Sequence, residues 1–232
     1  MLELTDVTKA YRGKTVVDRV SFSVNGGETL GIVGANGAGK STLAAMIVTL
    51  LKPDLGKIEL DGLDVTKASR EVRSRIGYVP QDIALYETLS GMDNLKFWAG
   101  ANKVPKGMQP ERIAKVCEII RFDRELALRR VSTYSGGMKR RLNIGVALLH
   151  EPKLLVLDEP TTGIDMQSCD QILETVEELR KDGVAVVYIG HYIEEIERVA
   201  THLTVLAEGR VRYFGAKDGL PKGKTLSEFL RM

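Results

Sequence analysis

The sequence predicts an α/β fold: a mostly parallel core sheet covered on both faces, with a helical subdomain inserted into it. Two observations carry this. Short runs that read as buried strands, Thr29 to Val33, the fully apolar Leu154 to Leu157 and Val184 to Ile189, are separated by helical patterns, and strands buried on both faces belong to parallel sheets. Between about Leu85 and Leu149 such runs vanish, while Glu111 to Ile120 and Lys139 to Leu149 carry apolar residues at helical spacing. The core is therefore expected over about 1–84 and 150–232, and the helical subdomain over about 85–149, within one domain of 232 residues.

The elements follow in order. Leu2, Leu4 and Val7 mark one apolar edge, and Val20 to Val24 alternates with period two, so the first residues read as strands. Asn25-Gly26-Gly27-Glu28 is a turn, because Gly and Asn tolerate positive φ. The buried strand Thr29 to Val33 ends in a glycine-rich loop, Gly34 to Gly39. A helix is expected from Lys40 to Leu51, stopped by Pro53. Lys57 to Leu60 returns to strand and turns at Asp61-Gly62. After the helical region and the strand Leu154 to Leu157, Cys169 to Lys181 is an amphipathic helix with Ile172, Val176 and Leu179 on one side, closed by Gly183. Leu203 to Phe214 reads as a hairpin turning at Glu208-Gly209.

Composition excludes several classes. Lys plus Arg (33) against Asp plus Glu (31) gives a net charge of +2, too balanced for a dedicated nucleic-acid binder. The cysteines, Cys117 and Cys169, make no metal-ligand cluster and no disulfide framework, which suits a reducing cytosol. Stretches free of charge and proline, such as Ser41 to Leu51, reach about half of the ~20 residues a membrane helix needs. Met1 to Asp6 alternates like a strand and lacks the basic start and apolar run of a signal peptide. A soluble intracellular chain is expected, with any membrane role exercised through a partner.

Three motifs carry chemistry. Gly34-Ala35-Asn36-Gly37-Ala38-Gly39-Lys40-Ser41 fits the G-x-x-x-x-G-K-[ST] phosphate loop, and Thr42 continues it into the helix. Glycines let backbone N–H groups turn inward around phosphate oxygens, and the helix starting at Lys40 favours an anion at its N-terminus. Lys40 is expected to reach the β- and γ-phosphates, and the Ser41 hydroxyl to ligate Mg²⁺. Asp158 and Glu159 follow a buried strand, at the carboxyl end where open α/β sheets bind ligands. Asp158 is expected to hold Mg²⁺ and Glu159 to polarise an attacking water; without the phosphate loop, the pair reads equally well as a plain turn. Tyr134-Ser135-Gly136-Gly137-Met138 precedes a basic helix, and its hydroxyl and exposed amides make a second anion site. Taken alone, that pentapeptide is a helix cap with a glycine turn.

In this order, the phosphate loop, Ser135-Gly136-Gly137 and Asp158-Glu159-Pro160-Thr161 resemble the ATP-binding cassette (ABC) ATPase subunits of ABC transporters, over essentially the whole chain. The resemblance implies a P-loop NTPase with an N-terminal antiparallel β subdomain, and ATP with Mg²⁺ as its ligands. It implies that Tyr11 stacks on adenine, that Gln81 touches Mg²⁺ and the attacking water, and that His191 senses the γ-phosphate. Asn36, Gly37, Ala38 and Gly39 fall among the phosphate-binding positions. Gly163-Ile164-Asp165 resembles the loop that crosses to the other subunit. His150 and His202 match no such position and read as surface or packing residues. The chain departs from the family's usual signature at Tyr134 and Met138, where leucine and glutamine are common, but Ser135, Gly136 and Gly137 are intact. Phosphate loop and signature lie 101 residues apart in one chain, Gly34 to Ser135, and in the family they meet only across two subunits.

The resemblance therefore implies a second copy or a homologous ATPase subunit as one partner and membrane-spanning permease subunits as another, at the cytoplasmic face of the cell membrane. Pro80 to Tyr86, Gly137 to Leu142 and Gly190 to Glu195 look like the drug-, lipid- and ion-exporter branch, and the chain ends soon after Phe214, leaving no room for the C-terminal regulatory domain of many sugar importers. A docking surface is expected around Tyr86 to Trp98, with one or two of Leu85, Tyr86 and Leu89 inserting into the membrane partner. The competing readings are a soluble ABC-type ATPase acting on a non-membrane partner, which would carry two cassettes or a long coiled-coil insertion, and a small P-loop kinase, which would lack Ser135-Gly136-Gly137.

Overall fold

The computed structural model describes residues 1–67 and 70–219. The expected core segment 150–232 thus runs into 220–232, which lie outside the described residues. The chain begins with β1 (Leu2–Tyr11), β2 (Lys14–Val24), β3 (Thr29–Val33) and α1 (Lys40–Ile47). It continues through β4 (Leu55–Leu60), β5 (Leu63–Asp64), α2 (Arg70–Arg73) and β6 (Ile76–Val79). Four helices follow, α3 (Gly91–Ala101), α4 (Gln109–Ile119), α5 (Arg124–Leu128) and α6 (Gly136–Leu148). The last part alternates β7 (Leu154–Asp158), α7 (Met166–Lys181), β8 (Ala185–Ile189) and α8 (Ile193–Val199), then closes with β9 (His202–Ala207) and β10 (Arg210–Ala216).

Two sheets form. The first, in the order β2-β1-β4-β5, is antiparallel, with Leu2 opposite Val24 and Leu4 opposite Phe22. The second runs β10-β9-β3-β8-β7-β6, parallel throughout except for β10. Period-two alternation between two covered faces explains why β3, β7 and β8 are buried at every position. Leu30, Ile32, Leu154, Val156, Val187 and Ile189 join the cluster that packs against α1 and the antiparallel sheet. Val33, Leu155, Leu157, Val186 and Tyr188 face the opposite way, toward Leu142, Ile172, Val176 and Ile196 of α6, α7 and α8. Both faces are thereby covered, as a parallel sheet requires.

Two elements differ from the expectation. Helix α1 ends at Ile47, not Leu51: Thr49 takes φ +66, and the N–H groups of Leu50 and Leu51 both turn back to the Ala45 carbonyl. Strand β6 falls where the sequence reading places no strand, and it contains Gly77, a residue that weakens strand interiors. Gly77 is needed there, since a Cβ would lie 2.7 Å from the Ala147 carbonyl oxygen of α6, which crosses the strand. Among the described residues no helix is long and apolar enough to cross a membrane.

Candidate active site

Because β3, β8, β7 and β6 are neighbours in one parallel sheet, the segments leaving their carboxyl ends meet at one edge. These are the Gly34–Gly39 loop, the segment around His191, the Glu159 turn and Gln81. Together they wall a cleft of about 730 Å³. Gly34, Asn36, Gly37, Gly39, Lys40, Ser41, Thr42, Gln81, Glu159 and His191 all contribute to its surface. Ala38 lies buried behind the loop, its N–H bonded to the Ala35 carbonyl.

The loop is held open by its own packing. Gly39 takes φ +102, and a Cβ there would stand 2.6 Å from the Val16 carbonyl oxygen; one on Gly34 would lie 2.2 Å from that of Leu206. Lys40, 6% exposed, donates from Nζ to the carbonyls of Gly34 (2.7 Å) and Ala35 (3.1 Å). Burial pulls its pKa below the usual lysine range, against the attraction of Glu159 and Asp158. A buried ammonium paired only with carbonyls is a strong site for an anion.

Asp158 ends β7 and is 5% exposed. Burial and the neighbouring Glu159 raise its pKa, while Lys40 and a hydrogen bond from the Ser41 hydroxyl oppose them. The Ser41–Asp158 pair offers oxygen donors only, the chemistry of a hard divalent cation. Glu159 turns the chain with φ +49, its N–H bonded to the Ile189 carbonyl. Its carboxylate accepts hydrogen bonds from Gln81 Nε2 (3.1 Å) and Thr162 Oγ1 (3.2 Å) and stands 3.5 Å from His191 Nδ1. The three residues expected to act in catalysis are thus in mutual contact through one carboxylate. Gln81 is held from behind by Arg140, a buried side chain of α6 whose guanidinium donates to the carbonyls of Pro80 (2.8 Å) and Gln81 (2.7 Å).

The other expected residues lie apart from the cleft walls. Tyr11, 43% exposed at the end of β1, has Lys9 Nζ 5.8 Å from its ring centroid. Ser135 caps α6, accepting from the Met138 N–H at 3.2 Å, so its hydroxyl has a local job as well. Gly136 is open, with no neighbour closer than 3.7 Å to a built Cβ, whereas one on Gly137 would lie 2.0 Å from Ser168 Oγ. Gly137 therefore has a packing reason of its own: the N-termini of α6 and α7 touch there. Tyr134, where the signature departs, is buried, donates to the Leu126 carbonyl at 2.6 Å and packs edge-on against Phe122. Gly91 makes room for its hydroxyl, since a Cβ would sit 2.5 Å away. Sequence reasoning missed Val16 in the cleft wall and Thr162 on Glu159; an ordinary strand valine gives no signal, but a threonine three residues past the acid could have been read as its partner.

Known proteins resemble this chain in sequence and fold. The family model for ABC transporters matches residues 17–162. The chain is 44% identical, over 95% of its length and 70% of the relative's, to the linearmycin resistance ATP-binding protein LnrL of Bacillus subtilis (strain 168). An ATP-binding subunit of an ABC transporter superposes with a TM-score of 0.87 at 29% identity, covering 98% of this chain and 97% of that one. A bacterial ABC transporter cassette solved as a dimer superposes with a TM-score of 0.83 at 25% identity, covering 93% and 98% of the two chains.

Proposed function

Since the chain belongs to the ABC transporter family as an ATP-binding, ATP-hydrolysing subunit, we propose that it drives an exporter and that its residues divide the work as follows. The loop amides and Lys40 take the ATP phosphates. Ser41 and Asp158, with Gln81 nearby, would hold Mg²⁺, which when bound neutralises charge on the β- and γ-phosphate oxygens. Glu159 accepts the proton of the attacking water, Gln81 orients that water, and His191 meets the γ-phosphate. The contact of Glu159 with both Gln81 and His191 carries this reading. Tyr11 is free at the surface to stack on adenine.

Assembly follows from the residues outside the cleft. Ser135 and Gly136 present hydroxyl and amides at the N-terminus of α6, so a second copy or a homologous ATPase subunit brings them to this chain's ATP. The dimeric cassette that superposes on this chain supports that arrangement. Export is supported by the resistance function named for the Bacillus subtilis relative and by the exporter-like segments around Gln81 and His191. The chain then works at the cytoplasmic face of the membrane, through permease subunits.

A groove of about 430 Å³ supports permease docking. It runs between Leu50, 65% exposed, and Trp98, and its lining includes Tyr78, Asn143 and His150. The neighbouring Tyr86 and Phe97 pack edge to face at 4.8 Å, both exposed. Leu85 is half-buried and packs against the core cluster, whereas Tyr86 and Leu89 are exposed, so of the three the last two are the better placed to insert.

The deciding experiment is Glu159→Gln. Turnover should fall by ~10²–10⁴-fold with ATP binding retained, and the variant should dimerise in saturating Mg-ATP, as light scattering would read. Hydrolysis at the parental rate would put the base elsewhere.

A further inference from the structure

A second polar cluster lies behind the Glu159 turn, on the α7 and α8 side of the sheet. Its centre is the half-buried Glu195 of α8. Glu195 Oε2 accepts from Thr161 Oγ1 at 2.5 Å and from the Tyr188 hydroxyl at 2.8 Å, and Oε1 accepts from Cys169 Sγ at 3.3 Å. The donors come from three different places: the turn after β7, strand β8 and the first turns of α7. No cation pairs with Glu195 among the described residues; Arg198, on the same helix, is taken by Asp170 and Glu177. Burial and the adjacent carboxylate hold the Tyr188 phenol far above its ordinary pKa and push the Cys169 thiol up to about 12, so both remain protonated donors at neutral pH.

A half-buried carboxylate with no counter-charge is a costlier tie between three elements than apolar packing would be. Its position explains the choice. Thr161 sits two residues after Glu159, and Thr162 beside it donates to the Glu159 carboxylate. Glu195 sits four residues after His191, one turn into the helix that follows. Gln81 and Thr162 already hold the Glu159 carboxylate, but the 3.5 Å approach of His191 to it is too long to fix the imidazole, whose side chain is 40% exposed. The segment bearing His191, and its spacing from the Glu159 turn, call for an anchor from outside the cleft.

We propose that Glu195 is a positioning residue for hydrolysis, a carboxylate latch that holds the turn bearing Glu159 and the segment bearing His191 in one frame. This rests on Glu159 and His191 acting as assigned above. The latch touches neither the phosphate loop nor Lys40, so it governs the rate of the chemical step and leaves ATP binding alone.

The test measures kcat, KM, ATP affinity by calorimetry and melting temperature for parental protein, Glu195→Ala, Glu195→Gln, Thr161→Val and the Thr161→Val/Glu195→Ala double variant. A misplacement of about 1 Å is worth up to ~10²-fold in rate, so Glu195→Ala should lose on the order of 10- to 100-fold in kcat with ATP affinity unchanged. Glu195→Gln keeps an acceptor for Thr161 and Tyr188 and should recover most of that rate. The double variant should be little slower than Glu195→Ala, because both remove the same tie. Parental kcat in folded Glu195→Ala, or a lowered melting temperature with kcat per folded molecule unchanged, would overturn the latch. Should Glu195→Ala fail to fold, Thr161→Val decides alone by the same criteria. Glu159→Gln is the control that separates the two levels. If it keeps parental turnover, the assignment of the base falls; if it loses turnover while Glu195→Ala does not, only the latch falls.

Discussion

Gly137→Ala separates a packing role from a ligand role within the signature. A methyl group at position 137 would lie 2.0 Å from Ser168 Oγ, 2.2 Å from Ser168 Cβ and 3.3 Å from Asp165 Oδ2. Nothing there can yield cheaply. Ser168 is fixed by its N–H and hydroxyl, both donating to the Asp165 carboxylate that caps α7, at 2.9 and 2.7 Å. Relief requires the N-termini of α6 and α7 to part, at the ~1–3 kcal/mol typical of overpacking, with the damaged cap acting in the same direction. The gain in helix propensity from Gly to Ala, up to ~1 kcal/mol, opposes this. The net loss is on the order of 2 kcal/mol, roughly 4–8 °C in Tm for a chain of this size. Calorimetric melting of four proteins measures it: parental, Gly137→Ala, Ser168→Gly and the double variant. In the Ser168→Gly background, where both clashing atoms are gone, adding Gly137→Ala should cost almost nothing. Gly136→Ala, with no neighbour closer than 3.7 Å, should melt no lower than the parent and reveal itself only in ATP-driven dimerisation. A Gly137→Ala protein that melts at or above the parental temperature would refute the packing argument.

Two further outcomes follow from buried charge. Lys40→Ala removes a charge-assisted bond to phosphate, worth ~1.5–3 kcal/mol, so ATP affinity should fall roughly 10- to 150-fold by calorimetry; near-parental affinity would sink the phosphate-loop assignment. Asp158 has a raised folded-state pKa, so the folded protein holds this proton more tightly than the unfolded chain does. Its contribution to stability is therefore greatest at acid pH and declines as pH rises from the unfolded value of 3.8 through the folded one. Asp158→Asn should raise Tm at neutral pH, by a gain on the order of 1 kcal/mol, while abolishing Mg²⁺-dependent turnover. The difference in Tm should close below the unfolded value, and a gap that persists or widens there would show that burial of the charge is not the cause.

The sheet and the phosphate loop were legible because each is dictated locally. Leu154 to Leu157 must be apolar on both sides once two layers cover it, and Gly34 to Ser41 is spelled by what backbone amides need around an anion. Strand β6 was not legible, because Gly77 answers to Ala147, seventy residues away. Gln81 and His191 carried no signal of their own; strand order brings them to Glu159, and only the family resemblance pointed to them. Tyr134 looked like a defect in a signature, yet it is half of a lock whose other half, Gly91, is 43 positions earlier. Contacts of that span leave no periodic trace in the residues that make them.

The grip of Arg140 on the Pro80 and Gln81 carbonyls also bears on two ATP molecules at once. Arg140 stands in the second turn of α6, and Ser135 and Gly136 stand at the start of that same rigid rod. One end follows the glutamine of the chain's own cleft, and the other, in the proposed pair, faces the neighbour's nucleotide. An event that drew Gln81 inward would pull on α6 through Arg140 and so on the contact offered across the interface. In that pair, occupancy of one site would report to the other through this one helix.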